Sequence, residues 1–177
     1  FDNASFTASN QTVTLNQTTT VVNMIWNNVA FTPSFTGVNS LTVNGNLFIN
    51  SAMSWNQSGT LNLNGSITFS SGTNWNRTAT TTLNPPAGNY TLDFAGKTLN
   101  GSMTFNGNIN AVWTLVNDYK CGTNVTTTFQ QGKFYSNGYF VDFGYSLNAN
   151  NTNTKLFDFT GTDTVRVRRE WSLNATG

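Results

Sequence analysis

The chain has 177 residues and a mass of 19.3 kDa, which is enough for one domain with a sizeable core. Only 8% of its residues are charged and the net charge is +1, yet it contains 14 Phe, 5 Tyr and 5 Trp beside 29 Asn, 30 Thr and 14 Ser, so we expect it to fold rather than stay disordered. The absence of histidine excludes Ser/His/Asp and Cys/His catalysis and histidine-ligated zinc, and the weak net charge argues against a nucleic-acid partner.

Along the whole chain, Thr, Val, Phe, Tyr and Asn are abundant, and no window places apolar residues at helical spacing. The pattern therefore predicts an all-β protein. Residues 1–36 are expected to form an N-terminal cap, or an edge region that seeks a partner chain, because residues 5–22 contain few apolar side chains. No run of about 20 apolar residues is present, so no membrane span is predicted. The opening residues lack signal-peptide regions, which leaves a cleaved leader or a longer parent protein as explanations.

Two consecutive segments repeat one another without a gap. Residues 40–59 (SLTVNGNLFINSAMSWNQSG) align with residues 60–79 (TLNLNGSITFSSGTNWNRTA) at an offset of 20. The alignment places Asn-Gly on Asn-Gly and Trp55 on Trp75, and it keeps the flanking positions apolar. Such self-similarity is typical of a repeat architecture.

Shorter copies of the same motif follow later in the chain. KTLNGSMTF places Asn100 and Gly101 36 residues after the second copy, and KFYSNGYFVDF carries Asn137 and Gly138 another 37 residues on. The separations between Trp55, Trp75, Trp113 and Trp171 are 20, 38 and 58, close to multiples of about 19. The sequence therefore predicts a repeating unit of 18 to 20 residues.

Asn-Gly between apolar runs is also a hairpin signal, so an antiparallel meander is the competing interpretation. In a two-residue hairpin Leu63 would share a face with Ser66, and Ile67 and Phe69 would lie on the opposite face. A corner, with Asn or Gly supplying a positive φ, lets both apolar runs point into one core. This geometry fits a rung of a parallel β-helix, with stacked asparagines forming an inward amide ladder, and it also fits a β-sandwich with β-arches. The period of about 19 residues favours the β-helix.

We therefore expect one continuous solenoid domain over residues 37–177. Pro85 and Pro86 interrupt the repeat, which predicts a rung with a bulged loop rather than a domain boundary.

Candidate catalytic residues are few and scattered. The sequence has no carboxylate between residues 3 and 92, and we expect the others to be solvated turn residues, so neither a metal site nor an enzyme is predicted. In TVRVRREW, alternation places Arg166 and Arg168 on one strand face, which is either solvated or, together with Arg169, a patch for an anionic glycan or a partner. Cys121 has no partner for an intrachain disulfide and is expected to be a small buried hydrophobe. No cofactor is predicted.

Eleven Asn-x-Ser/Thr sequons are candidate glycosylation sites. They stand at Asn3, Asn10, Asn16, Asn56, Asn64, Asn76, Asn89, Asn100, Asn124, Asn150 and Asn174.

The segments SLTVNGNLFINSAMSWNQSGTLNLNGSITF and WTLVNDYKCGTNVTTTFQQGKFYSNGYFV resemble the Asn/Thr-rich repeats of bacterial cell-surface adhesins and phage fibres. The resemblance covers most of residues 37–177. It implies a passive, right-handed β-solenoid in an extracellular or cell-surface fibre, with no catalytic residues. Its partners would be further copies of the chain or adjacent modules of the same fibre, and surface glycans as a further class.

Two classes of function follow from this interpretation. The first is a non-enzymatic structural or adhesive module of an extracellular fibre, filament or appendage. The second is a carbohydrate-binding or polysaccharide-cleaving β-helix domain, in which Trp55, Trp75 and Trp113 would form a solvent-facing row that stacks on sugar rings. Burial of the same tryptophans would instead assign them to packing. A filament subunit whose residues 5–22 complete a neighbour's sheet is a third candidate.

Overall fold

A computed structural model describes residues 3–6, 10–27 and 31–173, and these residues form a parallel β-helix with about 7 turns. Each turn visits three sides of the solenoid in a fixed order, here named sides I, II and III. The described residues contain no helix, and therefore none that is long and apolar enough to cross a lipid bilayer.

The strands of side I pair in chain order along one sheet. They are β1 (Asn3–Phe6), β4 (Asn23–Trp26), β7 (Leu47–Ile49), β10 (Ile67–Phe69), β13 (Gly88–Asp93), β16 (Ala111–Leu115), the second half of β18 (Thr126–Tyr135) and β21 (Lys155–Asp158).

Side II consists of two four-stranded sheets that follow one another along the chain. The first contains β2 (Thr12–Thr14), β5 (Ser34–Thr36), β8 (Ser54–Trp55) and β11 (Asn74–Trp75); the second contains β14 (Thr98–Leu99), β17 (Tyr119–Cys121), β19 (Val141–Asp142) and β22 (Val165–Arg166).

Side III joins side I through the long strand β18. Its strands are β3 (Thr19–Val21), β6 (Leu41–Val43), β9 (Leu61–Leu63), β12 (Thr81–Leu83), β15 (Met103–Asn106), the first half of β18, β20 (Ser146–Ala149) and β23 (Glu170–Leu173).

Every pairing between these strands is parallel, which confirms the β-helix and excludes the sandwich and the hairpin meander. The predicted alignment of the two long copies is also confirmed, because Leu41 pairs with Leu61 and Trp55 with Trp75. Residues 1–36, expected as a cap or partner-seeking region, contribute the first strands of all three sides.

The rungs contain about 22 residues rather than the predicted 19. The 20-residue spacing holds where Leu47 pairs with Ile67, but the next partner of Ile67 is Leu92, 25 residues on. The intervening loop contains Pro85 and Pro86, as predicted. The sequence underestimated the period because the two segments that align best, residues 40–59 and 60–79, lie in two of the shortest rungs.

The later copies of the motif do not stack on the earlier ones. Asn64-Gly65 connects side III to side I, Asn100-Gly101 connects side II to side III, and Asn137-Gly138 connects side I to side II. The regular tryptophan spacing was misleading for the same reason, since Trp113 lies on side I whereas Trp55 and Trp75 lie on side II. One corner sequence thus serves three different corners of the solenoid.

The predicted positive φ at the corners is correct for Asn137 and Gly138, at 52° and 83°, but wrong for Gly65. A Cβ at Gly65 would overlap the carbonyl oxygen of Gly45 in the rung below. This corner needs glycine because neighbouring rungs approach closely there.

An aromatic spine fills the interior. The ring of Phe35 lies 4.7 Å from that of Trp55, which lies 5.1 Å from Trp75, and Phe69 continues the contacts at 4.8 Å. Further Phe and Tyr rings extend the spine to Trp171 in the last described rung. The predicted inward register of the apolar runs is confirmed, since Leu61, Leu63, Ile67 and Phe69 are all buried.

Candidate functional site

The three tryptophans considered as a glycan platform lie in the core. The exposed fractions of Trp55, Trp75 and Trp113 are 0%, 6% and 0%. They present no face to solvent, so the structure assigns them to packing and removes the tryptophan row as a binding surface.

Asp142 differs most from the expectation of solvated carboxylates, because its side chain is only 1% exposed. It lies on β19 directly beside Arg166 on β22. Arg168 donates from Nη1 to its Oδ1 at 2.8 Å and from Nη2 to its Oδ2 at 2.6 Å, and Arg166 donates from Nε at 2.9 Å. Two of the three clustered arginines therefore hold a carboxylate of the same chain.

The burial of Asp142 by itself would raise the pKa of its carboxyl group. Hydrogen bonds from Arg166, from the Gly144 N–H and from Arg168, together with the charge of Arg168, outweigh burial and hold the pKa below its ordinary 3.8. The carboxylate is ionised and fully engaged, which suits a structural ion cluster rather than a proton-transfer role.

The other described carboxylates are dispersed along the solenoid, and some of them bond to neighbouring residues. Asp93 accepts a hydrogen bond from the Ala95 N–H, and Asp118 forms an ion pair with Lys120 at 2.8 Å. No group of three or more Asp, Glu or Cys side chains that could hold a metal ion occurs among the described residues. Asp2 lies outside them.

Cys121 is buried on side II, as predicted from its isolation in the sequence. Burial away from water raises the pKa of its thiol to about 11. A thiol with this pKa is protonated at neutral pH and is a poor nucleophile.

A buried arginine that the sequence analysis missed occupies the corner between sides II and III. Arg77 is 1% exposed and has no carboxylate beside it among the described residues. Its guanidinium donates to the carbonyl oxygens of Gln57, Gly59 and Thr80 at 2.6–2.8 Å, to the Thr81 hydroxyl at 2.9 Å and to the Gln57 side-chain oxygen. Burial lowers its pKa to about 10, so the group stays charged at neutral pH. The one available signal was the alignment of Gln57 with Arg77 in the repeat.

Stacked asparagines form an amide ladder, but it lies on the outside of the solenoid and does not point inward as predicted. Asn64 donates from Nδ2 to the Oδ1 of Asn44 at 3.0 Å, and Asn76 donates to Asn56 at 2.9 Å. These contacts link equivalent corners of successive rungs.

The candidate glycosylation asparagines differ in exposure. Asn64 is half-buried, whereas Asn10, Asn16, Asn56, Asn76, Asn89, Asn100, Asn124 and Asn150 are exposed. The side chain of Asn3 and all of Asn174 lie outside the described part of the chain.

A shallow groove of about 670 Å³ crosses the outer face of side I near its C-terminal strands. Its middle is formed by Thr114, Tyr135 and Asp158, which are direct neighbours on β16, β18 and β21. The corner glycines Gly138 and Gly161 form one end. Sequence reasoning missed this groove because its residues come from rungs whose spacing was not regular.

Comparison of the chain with protein-family models, curated proteins and solved structures gave no match.

Proposed function

We propose that the chain is a non-enzymatic structural or adhesive module of an extracellular fibre, filament or surface appendage. The observation that carries the proposal is the unbroken stack of parallel rungs around a continuous aromatic spine. With strands about 4.8 Å apart, such a stack forms a rod roughly 35 Å long in which each rung stabilises the next. A rod of this kind suits the transmission of mechanical load and the display of surfaces along a fibre.

The outer surface supports a role in an aqueous, extracellular setting. As far as residue 92, the exposed corners carry neutral amides and hydroxyls in place of charges, and stacked amides such as Asn44 and Asn64 bond to one another. Like charges at the same spacing would repel, so neutral side chains allow identical rungs to stack without an electrostatic penalty.

The engagement of polar side chains supports a passive module. Asp142 is held by two arginines, and the guanidinium of Arg77 is occupied by backbone and side-chain acceptors. General acid–base catalysis needs a positioned group that can exchange protons with a substrate. Neither of these buried charges is placed to do so.

The two ends of the solenoid suit contacts with further copies or adjacent modules. In the described residues, β2 and β3 each pair with one strand only, as do β22 and β23. Trp171, in the last described rung, has an exposed fraction of 43%. A neighbouring rung could therefore continue the ladders at either end. The strands of residues 5–22 pair within their own chain, which favours such end contacts over strand donation.

Immunogold labelling tests the proposed location. A serum raised against the purified chain should label intact cells or particles of the source organism along surface fibres or appendages, and permeabilisation should add little signal. Labelling only after permeabilisation would overturn the proposal.

A further inference from the structure

The groove on side I combines an apolar floor with polar groups that have no partner among the described residues. The Tyr135 hydroxyl and the Asn89 amide make no hydrogen bond within the described part of the chain. The volume of about 670 Å³ lies in the range of about 300–1,000 Å³ that small-molecule sites occupy. The groove is therefore large enough for a small ligand and offers it unsatisfied donors and acceptors.

The backbone holds the groove in a fixed shape. Thr114, Tyr135 and Asp158 are in register on adjacent strands, about 4.8 Å apart. Asp158 accepts a hydrogen bond from the Thr160 N–H at Oδ1, at 2.9 Å, and a second one from the Thr160 hydroxyl, which together orient the carboxylate. A carboxylate has about four acceptor positions, so two remain for a ligand. The Asn137 amide donates to the Leu115 carbonyl at 3.2 Å, which leaves its Oδ1 as an acceptor.

The end of the groove at the corner between sides I and II is kept open by two glycines. Gly138 and Gly161 have φ values of 83° and 76° and lie against each other in successive rungs. A positive φ is rarely adopted by other residues, so both positions lack side chains for a conformational reason. Their backbone atoms line the groove together with Tyr135.

The chemistry of the groove excludes several ligand classes. An added peptide strand would need free backbone groups, but β16 and β18 already have neighbours on both edges. An anionic ligand would face Asp158 without a basic side chain in the lining. A divalent cation usually needs several oxygen ligands with more than one carboxylate, and Asp158 is the one carboxylate in this lining.

We propose that this groove binds a neutral pyranose unit of an oligosaccharide. The C–H face of the sugar lies on the Tyr135 ring and on Val112, and its hydroxyls bond to the Asp158 carboxylate, to Asn89 and to Asn137. A carboxylate is a strong acceptor for sugar hydroxyls, and the apolar floor matches the C–H face. The site does not depend on the fibre proposal, because a glycan-binding groove could serve a protein in any extracellular setting.

The test is a binding screen of the full chain against immobilised neutral oligomers of glucose, galactose, mannose and N-acetylglucosamine, with uronic acid oligomers on the same array. We expect saturable binding to at least one neutral oligomer and weaker binding to the acidic ones. A stronger signal from acidic oligomers, or saturable binding to none of the neutral ones, would overturn the proposal.

Variants then locate the binding on the molecule, using the oligomer found in the screen. Tyr135→Ala should weaken its affinity at least tenfold, and Asn89→Ala, at an exposed position, should weaken it severalfold without affecting folding. Tyr145→Ala is the control, because Tyr145 is a half-buried tyrosine outside the groove. The double variant Tyr135→Phe/Asp158→Asn removes two of the proposed polar contacts and keeps the aromatic ring. If this variant and Asn89→Ala both fold and both bind the oligomer with unchanged affinity, the assignment is overturned. The labelling experiment is independent of these measurements, so the two proposals can fail separately.

Discussion

Arg77 shows how a single side chain can satisfy a whole corner of a solenoid. The guanidinium has five N–H donors, and the structure supplies five acceptors from two stretches of chain, residues 57–59 and 80–81. Where the chain leaves a strand at a corner, backbone carbonyl groups lose their hydrogen-bond donors in the sheet. Burying a carbonyl group without a donor costs free energy. The guanidinium of Arg77 supplies these carbonyl groups with charge-assisted hydrogen bonds.

We predict that Arg77→Lys lowers the free energy of unfolding by about 2–4 kcal/mol, because an ammonium group has three donors and leaves at least two buried acceptors unpaired. Urea denaturation measures the change. Arg169→Lys is the matched control at an exposed position, where we expect a change within about 0.5 kcal/mol. Equal losses in both variants would contradict this explanation.

Asp142 stabilises the C-terminal rungs in a pH-dependent manner. Its folded-state pKa lies below the ordinary 3.8, so the unfolded chain binds more protons as the solution is acidified. Its contribution to stability is therefore fully present above about pH 5 and is lost as the pH falls through the folded-state pKa.

We predict that Asp142→Asn costs about 1–3 kcal/mol at neutral pH and that its difference from wild type shrinks on acidification. Urea denaturation at neutral pH and at about pH 3 gives both values. Asp158→Asn is a useful comparison, because hydrogen bonds from Thr160 also lower the pKa of the Asp158 carboxyl, which belongs to no buried ion cluster. A difference from wild type that is independent of pH would contradict the assignment.

At the scale of the rung, close approach between corners explains the glycine of Asn64-Gly65. Gly65 and Gly72 lie in the same rung but differ in surroundings: a Cβ at Gly65 would overlap Gly45, whereas a Cβ at Gly72 would make ordinary contacts with Ala52 at 3.4 Å. We predict that Gly65→Ala destabilises the protein by about 2–3 kcal/mol and that Gly72→Ala changes stability by less than about 0.5 kcal/mol. Thermal denaturation of the two variants measures the contrast, and similar melting temperatures would contradict it.

The alternation within a strand makes a second prediction at this scale. Phe69 points into the core beside Trp75, and its neighbour Thr68 points outward. Phe69→Asn should cost about 3–5 kcal/mol, because it removes a packed ring and buries an amide, and Leu63→Asn should behave alike. Thr68→Asn should be nearly neutral. Chemical denaturation of the three variants tests the register, which would be wrong if Thr68→Asn were the most damaging.

At the scale of the whole molecule, the asparagine-rich surface offers many positions for glycans. We predict that protein from its native source carries sugars on exposed sequons such as Asn16, Asn100 and Asn124, so that enzymatic removal of glycans lowers its mass. Asn64 should be unmodified, because its amide nitrogen donates to Asn44 in the ladder. Intact-mass measurement and glycopeptide mapping check both statements. A mass that does not change on deglycosylation would contradict the predicted glycosylation, and a sugar on Asn64 would contradict the ladder in the native protein.

Local sequence predicted much of the fold but little of the candidate site. The alternation around Asn64-Gly65 identified the corner and the inward residues, since both depend on neighbours a few positions away. The groove requires Thr114, Tyr135 and Asp158 to be adjacent, and their separations of 21 and 23 residues match no regular repeat. Loop insertions shift the register between rungs, and only the stacked backbone shows which residues meet.

Local patterns in the sequence established that this protein is all-β and that its apolar runs turn at corners, because side-chain parity depends on neighbouring residues. The period favoured parallel rungs and left the β-sandwich as the alternative. Only the stacked backbone showed that the rungs pair in parallel, which corner each Asn-Gly occupies, that Trp55 and Asp142 are buried, and that Arg77 has five acceptors. These features depend on contacts between residues about 20 positions apart, whose pairing is set by loop lengths and by the packing of whole rungs.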